Sequence, residues 1–330
     1  MSALYPLIFK ETLKEKIWGG DAMGSLLGKN IAIGETIGES WEVSDHGLDS
    51  SIIANGKLAG NSLHKIFTDY KVELMGQKLA AKYADKFPLL VKFLDARENL
   101  SVQVHPNDQQ AGELEVNELG KTECWYVLYA KDNATIIKGV NQDLTKEQFK
   151  QAIVDGKVMD VLDEFPVKTG DFLFLPAGTI HAICSGTVIA EIQQNSDTTY
   201  RVYDYNRKGL DGKTRELHID KTLAVADLSK SNNRIEVPLA MPCDGAERFR
   251  LNKCDKFWVD KLSLTTPNKA SVELSTDDEV QVLMIVAGEG QLRWCDNNID
   301  LQKGMTLLIP ASLNKYSLHG SLEVLLSAPV

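Results

Sequence analysis

The sequence predicts a mainly β protein built from two barrel-like units with helical inserts, and three observations carry that expectation. Short strand-like runs bounded by Gly and Pro recur along the chain, helical spacing is confined to a few segments, and one strand-turn unit occurs twice.

The strand-like runs come first in chain order. SIIANG (51–56), LSVQVH (100–105), ECWYVLYA (123–130), TIIKGV (135–140), DFLFLP (171–176) and VIAEIQQ (188–194) fill the first part. WVDKLSL (258–264), VQVLMIVAG (280–288) and MTLLIP (305–310) follow near the end. Helical spacing of apolar residues marks the inserts at 62–85, 108–118, 144–165 and 215–227. The repeat lies in Gly304-MTLLI-Pro310, which copies Gly170-DFLFL-Pro176 with five residues between Gly and Pro each time. Laying VLMIVAGEGQLRW on WYVLYAKDNATII makes 144–165 an insertion of the first copy and puts Val280 at Glu123 and Asn314 at His181. The second copy then lacks the ionisable groups, and the expected units are a metal-bearing 1–235 and a metal-free 236–330.

Composition limits the partners. A net charge of -10 and a pI near 5.2 disfavour nucleic acid or an anionic membrane, so an anionic substrate must meet a local basic pocket. MSALYPLIFKETLKEKIW holds no leader-like apolar core and no later run reaches membrane-spanning length, which sets a cytoplasmic expectation. Five scattered cysteines without a Cys-x-x-Cys pair read as reduced, buried thiols.

The chemistry concentrates in three strings. In LSVQVHP, Ser101, Gln103 and His105 share the face opposite Leu100, Val102 and Val104, and they are not the Lys and Glu of a solvated face. GKTECWYV opens an apolar strand with Lys121 and Glu123 on one face, where a lone carboxylate is costly to bury unless a cation compensates it. GDFLFLPAGTIHAI ends a buried strand in a Pro-x-Gly corner and then delivers His181. Each residue alone reads more readily as structural. Together His105, Glu123 and His181, with Gln103 able to add a carbonyl oxygen, suit zinc, iron or manganese.

Gly-x5-Pro-x-Gly-x2-His resembles the second cupin motif, and Gln103-Val-His105 resembles the first, with Gln in place of its first His. More narrowly, IWGG (17–20), GESWEVSDH (38–46), LSVQVHP (100–106), GKTECWY (120–126), PAGTIHAI (176–183) and SDTTYRVYDY (196–205) resemble type I mannose-6-phosphate isomerases of the short bacterial kind. The resemblance implies two cupin (jelly-roll barrel) domains and an enzyme that interconverts mannose 6-phosphate and fructose 6-phosphate with one zinc ion per chain. It implies Gln103, His105, Glu123 and His181 as metal ligands, Arg201, Lys121 and Glu191 as catalytic residues, and Ser101, Lys121 and Arg201 as substrate contacts. From the residues alone, Arg201 in TTYRVYDY reads first as a surface arginine packed on tyrosines, and the resemblance is what turns it toward the cavity. The base is left as Glu191 or Lys121. A silent sugar-binding cupin and a metal-dependent cupin oxygenase are the competing readings, while His46 and His218 read as surface or capping residues.

Overall fold

Alternating strands pair into two stacked barrels in a computed structural model that describes residues 4–116, 118–209, 211–232, 234–265 and 270–330. Residues 1–3 of the stretch read for a leader lie outside these. In the first barrel, Phe172–Leu175, Glu123–Ala130, Thr187–Gln194, Leu89–Ala96, Ile37–Val43 and Thr12–Gly20 form one sheet in that order. Leu162–Pro166, Thr135–Val140, His181–Ile183, Val102–Val104 and Tyr200–Tyr203 form the opposing one. The pairing within both sheets is antiparallel. Trp125, Val127, Leu173, Leu175, Ile136, Ile183 and Ile189 close the space between them.

The second barrel follows the same plan in Thr306–Ile309, Gln281–Trp294, Lys315–Pro329, Phe257–Leu264, Glu247–Lys253 and Leu239–Met241. The outward faces of the two large sheets pack on each other, Cys124, Tyr126, Phe93 and Ile192 meeting Val259, Val282, Met284 and Leu325 in one apolar cluster. Burial of that face, at about 25 cal/mol per Å², joins the barrels. The first strand also crosses over: Leu7 and Ile8 pair with Leu308 and Leu307 of the second barrel.

Several expectations change in detail. SIIANG forms isolated bridges at Ile52 and Ile53 instead of a strand. The segment 62–85 breaks into helices Leu63–Asp69, Lys71–Met75 and Gln77–Lys82. Gly76 divides the last two at φ 84, and a Cβ there would fall 1.8 Å from the Asp278 carbonyl oxygen. Asp278 also accepts from the Gln77 N–H at 3.1 Å. The insert 144–165 is helical over Lys146–Val154 behind a Thr145/Gln148 capping box, but its end, Leu162–Pro166, is a strand on Thr135–Val140. Helix Asp108–Leu114 starts from a similar box at Asn107 and Gln110. Of the cysteines, Cys124 and Cys184 are buried while Cys295 is exposed.

Strand register also corrects the alignment of the repeat. Leu175, just before Pro176, lies opposite Glu123, and Ile309, just before Pro310, lies opposite Gln281. Gln281, not Val280, therefore stands at the Glu123 position. On the other wall, the short 3-10 turn Ala311–Leu313 and Asn314 at φ 63 delay the next strand, so the inward residue is Tyr316. Its hydroxyl donates to Gln281 Oε1 at 2.7 Å, taking the place in which His181 faces Glu123.

Candidate metal centre and active site

Three backbone contacts bring the predicted strings together. Leu175 pairs with Glu123, the Gly178 N–H donates to the His105 carbonyl at 2.8 Å, and the Lys121 N–H donates to the Pro106 carbonyl at 3.0 Å. Gly178 holds φ 90, a left-handed conformation that glycine adopts without strain, so the Pro-x-Gly corner turns His181 back into the barrel. His105, Glu123 and His181 are at most 1 % exposed, and one ligand atom from each lies within 4.8 Å of the others.

Each imidazole is oriented from behind. His105 Nδ1 lies 2.8 Å from the Thr198 carbonyl oxygen and His181 Nδ1 2.8 Å from that of Thr179. A carbonyl accepts only, so each Nδ1 carries the proton and each Nε2 presents a lone pair. Those lone pairs face Glu123, at 3.6 Å from His105 and 3.2 Å from His181. His181 Nε2 and Glu123 Oε1 have no hydrogen-bond donor among the described residues. Acceptors facing each other in a buried space fit a cation, so the donor set suits a divalent ion. The Lys121 ammonium, 2.7 Å from Glu123 Oε2 and 3.1 Å from His105 Nε2, supplies positive charge beside them. Burial alone would raise the Glu123 carboxyl, but the Lys121 ammonium beside it holds it well below the ordinary carboxylate range. Burial, then Lys121, pushes His105 well below its ordinary value.

The remaining predicted residues surround this centre. Gln103 lies opposite both His181 and Arg201 in the register, so the three share one face of the smaller sheet. Ser101 is buried two residues before Gln103. Glu191 is buried on the opposing sheet, where it accepts from Trp125 Nε1 at 2.9 Å, and burial followed by the Glu123 charge raises its carboxyl. Arg201 is half-buried, with Nη1 on the Glu216 carbonyl at 3.0 Å and Nε without a partner among the described residues. The guanidinium stacked on a tyrosine is instead Arg207, 5.3 Å from the Tyr205 ring centroid. His218 stands at the N-cap of helix Ile219–Val225, but its side chain makes no capping bond and its Nδ1 instead accepts from the Arg201 N–H at 3.0 Å.

Two groups went unassigned in the sequence. Arg207 and Arg215 both hold Asp204, at 3.1 and 2.5 Å, and with Arg201 nearby they gather three guanidiniums around one carboxylate. Deeper in the barrel, Lys92 lies 3.5 Å from Glu191, 3.8 Å from Glu39 and 4.9 Å from the centroid of Trp41. Glu39 also meets Lys16 at 3.1 Å and accepts from Trp41 Nε1 at 2.6 Å. Burial opposes ionisation of Glu39, yet Lys92 and Lys16 lower it to about 2. The one available signal was Lys92 itself, the single charge inside LLVKFL.

Comparison with known proteins agrees with this geometry. Residues 7–133 match the family model "Phosphomannose isomerase type I, catalytic domain", and residues 248–329 match "Mannose-6-phosphate isomerase, cupin domain". Mannose-6-phosphate isomerase ManA of Bacillus subtilis is 38% identical over 322 residues, 98% of either chain. A mannose-6-phosphate isomerase of Streptococcus mutans is 37% identical, with 98% of both chains covered. The crystal structure of the mannose 6-phosphate isomerase from Bacillus subtilis superposes with a TM-score of 0.90 at 34% identity, covering 98% of this chain and 99% of that one.

Proposed function

The chain belongs to the type I phosphomannose isomerases, and from that premise we propose that its first barrel interconverts mannose 6-phosphate and fructose 6-phosphate through an enediol, with one zinc ion. The observation that carries this reading is the convergence of two imidazole lone pairs and a buried carboxylate beside Lys121, in register with Arg201. His105, Glu123 and His181 would hold the ion, with Gln103 as fourth ligand. When bound, zinc supplies a Lewis acid without redox chemistry that polarises substrate oxygens.

Isomerisation moves the C2 proton of the aldose to C1 and a hydroxyl proton from O2 to O1. We assign the carbon proton to Glu191, whose carboxyl is raised and so suited to both accept and return it. Lys121, fixed between Glu123 and His105, donates to a substrate oxygen, with Ser101 beside it. Arg201, cationic and planar, stabilises charge on the enediolate, while Arg207 and Arg215 receive the phosphate. We propose residues 1–235 as the catalytic unit and 236–330 as a second cupin without a metal. No described helix is long and apolar enough to cross a membrane, and a cytoplasmic place belongs to the same proposal. A coupled assay with mannose 6-phosphate tests substrate and metal together: turnover should vanish with a chelator and return with zinc. Turnover indifferent to chelation would overturn the metal-dependent reading.

A further inference from the structure

The second barrel has a cavity of its own, beside Gln281 and Tyr316, which stand where Glu123 and His181 do in the first. It measures about 670 Å³, ample for a monosaccharide and within the range of roughly 300–1,000 Å³ usual for small-molecule sites. Its opening has a structural cause. Among the described residues, strand Ser271–Ser275 pairs only with Lys315–Pro329, whereas Val102–Val104, in the corresponding place of the first barrel, is also covered by Tyr200–Tyr203. Without that second cover a slot remains between the strand and the turn at Pro242–Gly245.

The walls carry fixed polar groups. Gln281 is held by the Tyr316 hydroxyl at 2.7 Å and by its own donation to the Ser275 carbonyl at 3.0 Å. Arg248 is held by Asp260 through Nε and Nη2, at 2.6 and 2.5 Å. Trp258 adds an aromatic wall and orients Nε1 toward Glu279 at 3.4 Å. Ser317, 2.8 Å from His319 Nε2, completes the opposite side. Fixed donors, acceptors and an indole together fit a ligand that is rich in hydroxyls and has an apolar ring face.

Charge selects among such ligands. Asp260 is shared by Arg248 and Arg250, which leaves one positive charge, while Asp244, Glu273, Asp277 and Glu279 line the same space with four negative ones. A phosphate dianion entering there would meet a lining that is negative on balance, so an uncharged sugar is favoured over its phosphate ester. Gln281 and Tyr316 stand at the positions of Glu123 and His181, and among the described residues no three ligand groups converge here as they do in the first barrel.

We propose that the second barrel binds an unphosphorylated hexose, such as free mannose, in the slot lined by Arg248, Trp258, Gln281 and Ser317. This site stands apart from the isomerase reading and can fail without it. Mannose is titrated into the full-length zinc-loaded protein by calorimetry, alone and with saturating mannose 6-phosphate or inorganic phosphate. The expected result is saturable one-to-one binding that neither phosphate compound displaces. Gln281→Leu should weaken it by at least about tenfold, and Ser317→Ala, a rim change with little demand on folding, by about threefold. Mannose 6-phosphate turnover, measured on the same samples, should stay as in the unaltered protein. Absence of saturable mannose binding, displacement by mannose 6-phosphate, or unchanged affinity in both variants would overturn the proposal. Loss of turnover in the unaltered protein would instead count against the isomerase reading.

Discussion

At one register position the two barrels bury opposite charge patterns. In the first, Leu173, Trp125, Glu191, Lys92 and Trp41 lie side by side across the sheet, and Lys92 sits between Glu191 and Glu39. In the second, the matching row is Leu307, Leu283, Leu326, Asp260 and Arg250, and Asp260 is fully buried between Arg250 and Arg248. A cation flanked by anions has become an anion flanked by cations. The scaffold thus asks only that the central charge be bracketed, since an unpaired one would be expensive. What differs functionally is the next row, where Glu123 faces His181 but Gln281 faces Tyr316.

The largest effect expected is from making the first barrel like the second at that row. Glu123→Gln should lose the metal and lower turnover by about a thousandfold or more, read by metal analysis and the coupled assay. Metal retained in this variant would break the comparison. Next, Asp260→Asn should leave two guanidiniums unbalanced and cost about 3 kcal/mol of stability, seen in denaturant unfolding, with the metal content intact. Arg201→Ala should lower kcat by about 10²–10³-fold, as loss of a charge-stabilising donor does, while metal content and thermal unfolding stay the same. Near-normal turnover there would return Arg201 to a packing role.

The smallest effect concerns acid. Glu39 is depressed from 4.5 to about 2 in the folded chain, so its contribution is complete above about pH 4.5 and is lost as pH falls toward 2. Lys92→Met should remove the first of the influences that lower it and shift that loss to higher pH, measurable as a changed slope of stability against pH. An unchanged slope would mean that Lys16 and the Trp41 hydrogen bond set Glu39 without it.

Much of the candidate metal site was legible because its residues sit in short strings whose period places them on one face: His105 after an alternating strand, Glu123 at the head of an apolar one, His181 behind a Pro-x-Gly corner. The repeated Gly-x5-Pro unit likewise revealed two barrels. Register across strands was not legible, since a shift of one residue exchanges the faces yet leaves the local pattern intact. Hence Val280 and Asn314 stood in for Gln281 and Tyr316. Lys92 escaped for a related reason: its partners Glu39 and Glu191 are distant in sequence and meet only through sheet pairing. The end of the 144–165 insert shows the same limit, because Leu162–Pro166 has apolar spacing that suits a helix until Thr135–Val140 offers it an edge.

The most direct test of the division between the barrels is anomalous X-ray diffraction at the zinc absorption edge from crystals of the active protein. The account predicts one peak per chain, enclosed by His105, Glu123 and His181. A peak between Gln281 and Tyr316, or none at the first site in protein that turns over mannose 6-phosphate, would contradict it.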